Sequence, residues 1–245
     1  MKNELLIQCE HLVVDSEEGG KAEHQLNLQA RAGDIISIIG PDQDGKINWI
    51  KTIGGIIQAK SGQLFLAGKE ITQFEKDDWV RVRTQFAFMH ALTTILSAAN
   101  AVQNLMLPAL YHKIAEASEV RARAEKLLKD IDAGNHLEQL PAHLKKEQRY
   151  KIAVARALML EPKALLLSSP FTALELSSVS QFKQFLLNHV RENNLLLILA
   201  THDIKFALKY SDQIIYISEQ QMLQFDKNHR IQDCDDPEVR DYLTI

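Results

Sequence analysis

The apolar positions in the first 70 residues fall into short runs and alternating patterns that are typical of β-strands. Residues 26, 28 and 30 are apolar and alternate with polar neighbours, as on a strand with one buried face. Residues 35–39 form an apolar, β-branched run that suits a strand buried on both faces of a parallel sheet. Two shorter strands are predicted at residues 5–7 and 12–14, and a hairpin turn at residues 17–20.

Helical spacing of apolar residues begins at about Lys46, and the region from roughly 76 to 160 is predicted to be mostly helical. The segment 115–131 shows it best, with an apolar side made of Val120, Ala124, Leu127, Leu128 and Ile131. Further helices are predicted at residues 152–160, 179–190 and 204–210, and strands at residues 164–167, 195–200 and 213–217. Strands that alternate with helices imply a mostly parallel sheet with helices on its faces. The predicted class is α/β with a helical insertion.

Composition narrows the class of protein. The chain has 245 residues, 46% of them hydrophobic and 24% charged, which is ordinary for a globular protein with a substantial core. A net charge of −4 gives no support for binding to nucleic acid. The two cysteines, Cys9 and Cys234, lack metal-ligand spacing and favour a reducing compartment. No signal-peptide pattern or membrane-spanning run is present, so we expect a soluble chain that reaches a membrane only through a partner.

A phosphate-loop pattern follows the buried strand at residues 35–39. Gly, four residues and Gly-Lys recur here as Gly40-Pro41-Asp42-Gln43-Asp44-Gly45-Lys46-Ile47, between a strand and a helix. In such a loop, backbone N–H groups hold phosphates and the lysine reaches the terminal ones. The pattern alone leaves a second interpretation open, a simple strand-to-helix turn that contains Gly-Lys.

The loop departs from a working phosphate loop in its chemistry. Ile47 stands where a Ser or Thr hydroxyl would hold magnesium, and Asn48 is turned by about 100° from that position on a helix. Asp42 and Asp44 place two carboxylates where polyphosphate would lie, and like charges repel.

Motifs elsewhere resolve the ambiguity. They include Ser61-Gly62-Gln63-Leu64, Asn100-Ala101-Val102 with Leu107-Pro108, the run from Gln148-Arg149-Tyr150 to Ala155-Arg156-Ala157-Leu158, and Ala200-Thr201-His202-Asp203. In this order they resemble the ATPase subunits of ABC transporters, and in particular the branch that serves lipoprotein-releasing and macrolide-export systems. The resemblance implies a P-loop NTPase-like ABC ATPase fold, with a mostly parallel sheet, an antiparallel N-terminal β subdomain and a helical subdomain. It implies one domain over residues 1–245, with its core at 1–89 and 161–245 and the helical subdomain at about 90–160.

The same resemblance assigns site positions, and most of their chemistry is altered. Ser168 and Ser169 stand where the family has the magnesium-organising aspartate and the catalytic glutamate, and His90 stands at the glutamine of the Q-loop. His202 is the switch histidine, which is retained. The weak nucleotide-binding set is Gly40, Gly45, Lys46, Ile47, Asn48 and His202, and the signature position is Lys145, Lys146, Glu147 and Gln148. No metal site is predicted, and adenine has only His11 or His24 for stacking.

These substitutions predict a pseudo-ATPase that binds ATP and Mg²⁺ weakly if at all. We expect it to be a structural or regulatory subunit on an integral membrane permease, at the cytoplasmic face, as a homodimer or with another ATPase subunit. Two alternatives stay open. One is an active ATPase in which Asn48 reaches the metal and Glu175 moves towards the attacking water. The other is a soluble interaction module that keeps the fold without a transporter.

Overall fold

A computed structural model describes residues 4–14, 24–41, 43–90 and 95–244, without the side chains of Gln43 and Asp44. The hairpin turn predicted at residues 17–20, and Asp42 of the loop, lie outside the described residues. Within them the chain forms two β-sheets and eight α-helices.

A four-stranded antiparallel sheet is built from the first part of the chain. Its strand order is β2-β1-β4-β5, where the strands are β1 (Leu5–Val13), β2 (Gln25–Arg31), β4 (Ser61–Leu66) and β5 (Lys69–Glu70). Buried and exposed residues alternate along β2, as predicted. The two short strands expected at residues 5–7 and 12–14 are instead one strand, whose register shifts between Cys9 and Leu12. His11 absorbs this irregularity with a φ of 49°.

The second sheet has six strands in the order β10-β9-β3-β8-β7-β6. They are β3 (Ile35–Ile39), β6 (Phe86–His90), β7 (Ala164–Ser168), β8 (Leu196–Ala200), β9 (Gln213–Ile217) and β10 (Met222–Asp226). All neighbours pair in parallel except β9 and β10. Every residue of β3, β7 and β8 is buried, which explains why their sequences are apolar apart from Ser37 and Ser168. The predicted α/β class, with one mostly parallel and one antiparallel sheet, is confirmed.

Helices cover both faces of the parallel sheet. They are α1 (Gln43–Ile53), α2 (Lys76–Gln85), α3 (Ala101–Tyr111), α4 (Ala117–Asp130), α5 (Lys146–Leu158), α6 (Leu176–Asn193), α7 (Ile204–Tyr210) and α8 (Pro237–Leu243). One hydrophobic cluster joins α1 and the antiparallel sheet to one face, and a second joins α3 to α7 to the other. A small third cluster places α8 beside β9. No helix of the described ranges is long and apolar enough to cross a membrane.

Two predicted helix starts were wrong, and one strand was not predicted. Residues 76–160 are mostly helical, as predicted, but Phe86–His90 within them is a strand, because it pairs with β7. Helix α1 begins at Gln43 rather than near Lys46, so the loop residues themselves form its first turn. Helix α5 begins at Lys146 rather than at residue 152, since the Gln148 side chain accepts a hydrogen bond from the Lys145 N–H (2.7 Å) and fixes the start.

Candidate functional site

The carboxyl edge of the parallel sheet gathers four of the predicted site residues. Gly40 directly follows β3, His90 ends β6, Ser168 ends β7, and His202 lies two residues beyond β8. The register pairs His90 with Ser168, and Ser168 with Ala200, so these strand ends are level. In open parallel sheets this edge is where ligands bind.

Gly40 occupies a position that no other residue fits. Its φ is 136°, and a Cβ atom there would lie 1.8 Å from the backbone oxygen of Ile217. Its N–H donates a hydrogen bond to the hydroxyl oxygen of Tyr242, on α8. Burial nevertheless raises the pKa of Tyr242, and that hydrogen bond partly offsets the rise. The start of the loop is therefore held by the last helix of the chain.

Lys46 lies inside the loop and is only 2% exposed. Its ammonium group donates to the carbonyl oxygen of Gly40, so the lysine is folded back on its own loop. Burial, together with the positive charge of Lys46, lowers the pKa of His202 below its ordinary value. Of the nucleotide-binding residues predicted from the loop, which also include Gly45, Lys46 thus lies close enough to His202 for its charge to act on the imidazole.

The residues after Lys46 offer little to a cation. Ile47 and Asn48 are both half-buried on α1, and the Asn48 carbonyl oxygen is taken by the hydroxyl of Thr52 (2.9 Å). His90 faces α1, where burial and the charge of Lys51 lower its pKa.

Ser168 and Ser169 bring no negative charge to the sheet edge. Ser168 is fully buried, and its Oγ has no hydrogen-bond partner among the residues that the structure describes. Ser169 has a φ of 51°, donates its N–H to the Ala200 carbonyl oxygen (2.8 Å), and accepts the Thr172 hydroxyl on its own carbonyl oxygen (2.9 Å). Neither hydroxyl can act as a carboxylate base near neutral pH.

The side chains that the structure describes at these positions do not fit a magnesium ion. Magnesium in phosphate sites is held by one or two carboxylates together with phosphate oxygens and water. Ile47 supplies no oxygen and Ser168 supplies one neutral hydroxyl. No group of three or more His, Cys, Asp or Glu side chains is placed to hold a metal in the described part of the chain.

The signature position forms a separate cluster at the start of α5. Lys145 and Lys146 are exposed, and Lys145 Nζ lies 3.2 Å from Glu175 Oε1. Glu147 is 8% exposed; it accepts the Glu175 N–H (2.7 Å) and pairs with Lys151 Nζ (2.9 Å). Although burial raises the pKa of Glu147, hydrogen bonds from Ser178, Lys151 and the Glu175 N–H bring it below the ordinary value.

The side chains at the start of α5 differ in their surroundings. Lys145 and Lys146 are exposed to solvent. Glu147 is buried, and the hydrogen bond that it accepts from the Glu175 N–H joins α5 to the start of α6. Gln148 is likewise occupied, by the Lys145 N–H and by His136 Nε2 (2.8 Å).

Sequence reasoning missed several residues that shape these clusters. Lys151, only 3% exposed, lies four residues after Glu147, and that helical spacing was an available signal. Lys51 and Tyr242 had no such signal, because His90 and Gly40 are distant from them in the chain. Of the two histidines considered for adenine, His24 Nε2 lies 2.9 Å from the Ser218 carbonyl oxygen, next to the residue that packs on Gly40, whereas His11 is exposed.

Comparisons with known proteins agree with this architecture. The sequence model of a family described as "ABC transporter" matches residues 24–172. The lipoprotein-releasing system ATP-binding protein LolD 1 of Chlorobium chlorochromatii is 30% identical over 80% of this chain and 80% of its own. The sulfate/thiosulfate import ATP-binding protein CysA of Nephroselmis olivacea is 27% identical over 87% of this chain, which spans only 60% of that protein.

A solved structure shows the same fold. CbiO1 of Clostridium perfringens, described as part of the ABC transporter complex CbiONQ, superimposes with a TM-score of 0.78 at 22% identity. The match covers 99% of this chain and 100% of that one. Together with the phosphate-loop geometry, the strand order and the family match over most of the chain, this shows that the protein belongs to the ABC transporter family and has the fold of its ATP-binding cassettes.

Proposed function

We propose that this chain is a cassette subunit of an ABC transporter that hydrolyses ATP weakly or not at all, and that it serves as a structural or regulatory partner of a membrane permease. The observation that carries the proposal is Ser168. It is a fully buried, neutral hydroxyl at the strand end where hydrolysis requires a metal-organising carboxylate, and no described residue is a hydrogen-bond partner for it.

The chemistry of phosphoryl transfer explains why this substitution matters. The reaction depends on positioning and on stabilising charge with metal, lysine and backbone donors. Lys46 is retained, but Ile47, Ser168 and Ser169 together remove the metal ligands and the base that would orient water. Effects of residues that act as a unit are not independent. With all three absent, we expect the retained Lys46 alone to give little acceleration of hydrolysis.

The signature cluster supports the same conclusion for either kind of dimer. In this family each site combines the phosphate loop of one subunit with the signature of the other. Glu147 puts a buried carboxylate, fixed by Lys151 and the Glu175 N–H, where a glycine would let phosphate approach. A homodimer would contain two altered sites. In a heterodimer, this chain would contribute an altered phosphate loop to one site and an altered signature to the other.

The alternative of an active ATPase required Glu175 to act as the base. Its carboxylate is next to Lys145, its N–H is bound by Glu147, and it is the N-cap of α6. These contacts hold Glu175 at the signature cluster and favour the non-hydrolysing function.

The membrane permease is proposed from the relatives and from one exposed surface. LolD 1 is named for a lipoprotein-releasing system, and CbiO1 for a transporter complex. On α3, Leu107, Leu110 and Tyr111 are 49%, 40% and 79% exposed, an apolar surface available to a partner. We therefore place the chain at the cytoplasmic face of the membrane, bound through the permease. We also propose that the chain is a single domain, whose helical part spans about residues 90–160.

Turnover measurements test the proposal. Phosphate release is measured for the full chain alone and for its co-purified complex with the permease, each with ATP and Mg²⁺. We expect no turnover above that of Lys46→Ala, whereas Lys126→Ala, a change in an exposed ion pair of α4, should match the unaltered chain. Sustained magnesium-dependent hydrolysis that disappears in Lys46→Ala would overturn it.

A further inference from the structure

One lysine on α6 contacts the segments that follow two neighbouring strands of the parallel sheet. The ammonium group of Lys183 pairs with the carboxylate of Asp203, which lies three residues beyond β8. The same ammonium group is 5.0 Å from the centre of the Phe171 ring, three residues beyond β7, and 5.9 Å from that of the Phe206 ring on α7. Because β7 and β8 pair in parallel, both segments leave the sheet at the same edge. Lys183 therefore joins them from one side.

These contacts differ from an ordinary ion pair on the surface. Both side chains of the pair are 22% exposed, compared with 75% for Lys126 in the surface pair of α4. The Phe171 and Phe206 rings are 5.5 Å apart and Phe206 is buried, so the ammonium group lies against aromatic rings as well as a carboxylate. Cation–aromatic contacts strengthen when water is partly excluded. We therefore expect Lys183 to contribute more than a solvated pair does.

Asp203 links Lys183 to the backbone on both sides of His202. Its Oδ1 accepts the Phe206 N–H (2.8 Å) as the N-cap of α7, while Oδ2 binds the lysine. Its own N–H donates to Thr201 Oγ1 (3.0 Å). Thr201 is 2% exposed and donates its N–H to the carbonyl oxygen of Ile38 on β3 (3.0 Å). His202 thus lies between one residue anchored to the sheet and one anchored to α6 and α7.

The imidazole of His202 depends on this backbone for part of its position. The residue is exposed, although burial of part of the ring and the charge of Lys46 lower its pKa. When protonated, the imidazole is repelled by the lysine beside it. An exposed ring next to a like charge has less packing to hold it than a buried one, so anchors on the neighbouring residues matter more.

We infer that Lys183 is a positioning residue, which clamps the segments after β7 and β8 together and so keeps His202 beside Lys46. The inference goes beyond the proposed function, because it concerns contacts within the chain and holds whether or not ATP is hydrolysed. Lys183 acts through Asp203. Breaking the ion pair frees the segment around residue 202 from α6 and lets the imidazole move away from the phosphate loop.

NMR titration of His202 in the full chain tests the clamp, with the spectrum of His202→Gln identifying its resonance. Lys183→Met keeps the aliphatic part of the side chain and removes the charge. Asp203→Asn breaks the ion pair but keeps a good N-cap for α7. In both variants we expect the pKa of His202 to rise towards its ordinary value of 6.5, because the imidazole leaves the charge of Lys46.

The two variants separate positioning from a direct charge effect. Removing a positive charge near His202 raises its pKa directly, whereas removing a negative charge lowers it. A rise in Asp203→Asn therefore requires movement of the imidazole. Amide hydrogen exchange of residues 203 and 204 should accelerate by about tenfold in both variants, as the segment opens more often. The double variant should resemble either single one, because both changes break the same contact.

A conservative variant and a matched control complete the design. Lys183→Arg keeps the charge and can lie on the same rings, so it should restore both the pKa of His202 and the slow exchange. Lys209→Met removes a lysine that is 5.0 Å from the centre of the Tyr210 ring on α7, and it should leave His202 unchanged.

Two results would overturn the inference. One is a lower pKa of His202 in Asp203→Asn. The other is an unchanged His202 in a folded Lys183→Met, even if that variant is less stable, since Lys183 would then have only a structural role. Melting curves establish that each variant is folded, and if Lys183→Met is not, Asp203→Asn decides. None of these measurements uses ATP turnover, so their outcome leaves the proposed function to its own test.

Discussion

The buried ion pair between Glu147 and Lys151 gives the sharpest test of how α5 is fastened. Glu147→Gln keeps the size of the side chain and removes its charge, which leaves Lys151 buried at 3% exposure. Removing one partner of a buried pair typically costs about 3–5 kcal/mol. Asp132, whose carboxylate lies 3.5 Å from Lys151 Nζ and is 59% exposed, remains as a solvated partner. We therefore expect the lower end, a loss of about 3 kcal/mol in the free energy of unfolding.

Urea unfolding followed by far-UV circular dichroism at pH 7 measures this loss. Lys151→Met should lower the free energy of unfolding by a similar amount, because it leaves the Glu147 carboxylate buried without its lysine. The double variant Glu147→Gln, Lys151→Met should lose only about 1 kcal/mol, since replacing a whole buried pair is often nearly neutral. The control is Lys126→Met, which breaks an exposed pair with Asp130 and should cost less than about 0.5 kcal/mol. A double variant as unstable as the sum of the two single ones would refute the reasoning.

The same pair predicts a dependence on pH. The pKa of Glu147 in the folded chain lies below its ordinary value of 4.5. A depressed carboxyl pKa contributes stability that is fully present above that ordinary value and is lost as pH falls through the folded one. The difference in unfolding free energy between the unaltered chain and Glu147→Gln should therefore be constant from pH 7 to about 5 and shrink below about 4.5. A difference that grows on acidification would assign the stabilisation to another group.

Three further outcomes follow from single positions. Gly40→Ala should cost roughly 3 kcal/mol or more, or prevent folding. Gly68→Ala, at a φ of 81° with open space around it, should cost only about 1 kcal/mol, and soluble yield and urea midpoints compare the two variants. Ser168→Ala should leave stability unchanged or raise it by up to about 1 kcal/mol in phosphate-free buffer, because it removes an unsatisfied hydroxyl; a clear loss would reveal a hidden partner. Lys51→Gln should raise the pKa of His90 towards its ordinary value in an NMR titration, while Lys51→Arg should not.

The strands of the core followed from the sequence for a clear physical reason. A strand buried on both faces is almost wholly apolar, so residues 35–39, 164–167 and 195–200 stand out in the sequence. The polar exception, Ser37, is buried with its Oγ 2.7 Å from Ser211 Oγ. β6 was not predicted from the sequence, since its residues follow a helix directly and only pairing with β7 makes them extended. β10 and α8 were not predicted either: one is an edge strand of five residues and the other a helix of seven.

The positions of the candidate site followed from spacing, whereas its contacts did not. Gly40 and Lys46 are set by a local motif, and strand order then brings Ser168 level with them. The hydrogen bond from Gly40 to Tyr242 joins opposite ends of the sequence, and no pattern along the chain encodes it. The burial of Glu147 depends on how α5 packs against α6, which is a property of the assembled fold.

The place of β3 in the sheet has a consequence for how the protein is made. β3 comes from residues 35–39, but both its neighbours, β8 and β9, come from residues 196–217. During synthesis on the ribosome, the strand that carries the phosphate loop therefore has no partner until most of the chain has been translated. Such long-range pairing is slow and leaves an apolar strand open to aggregation.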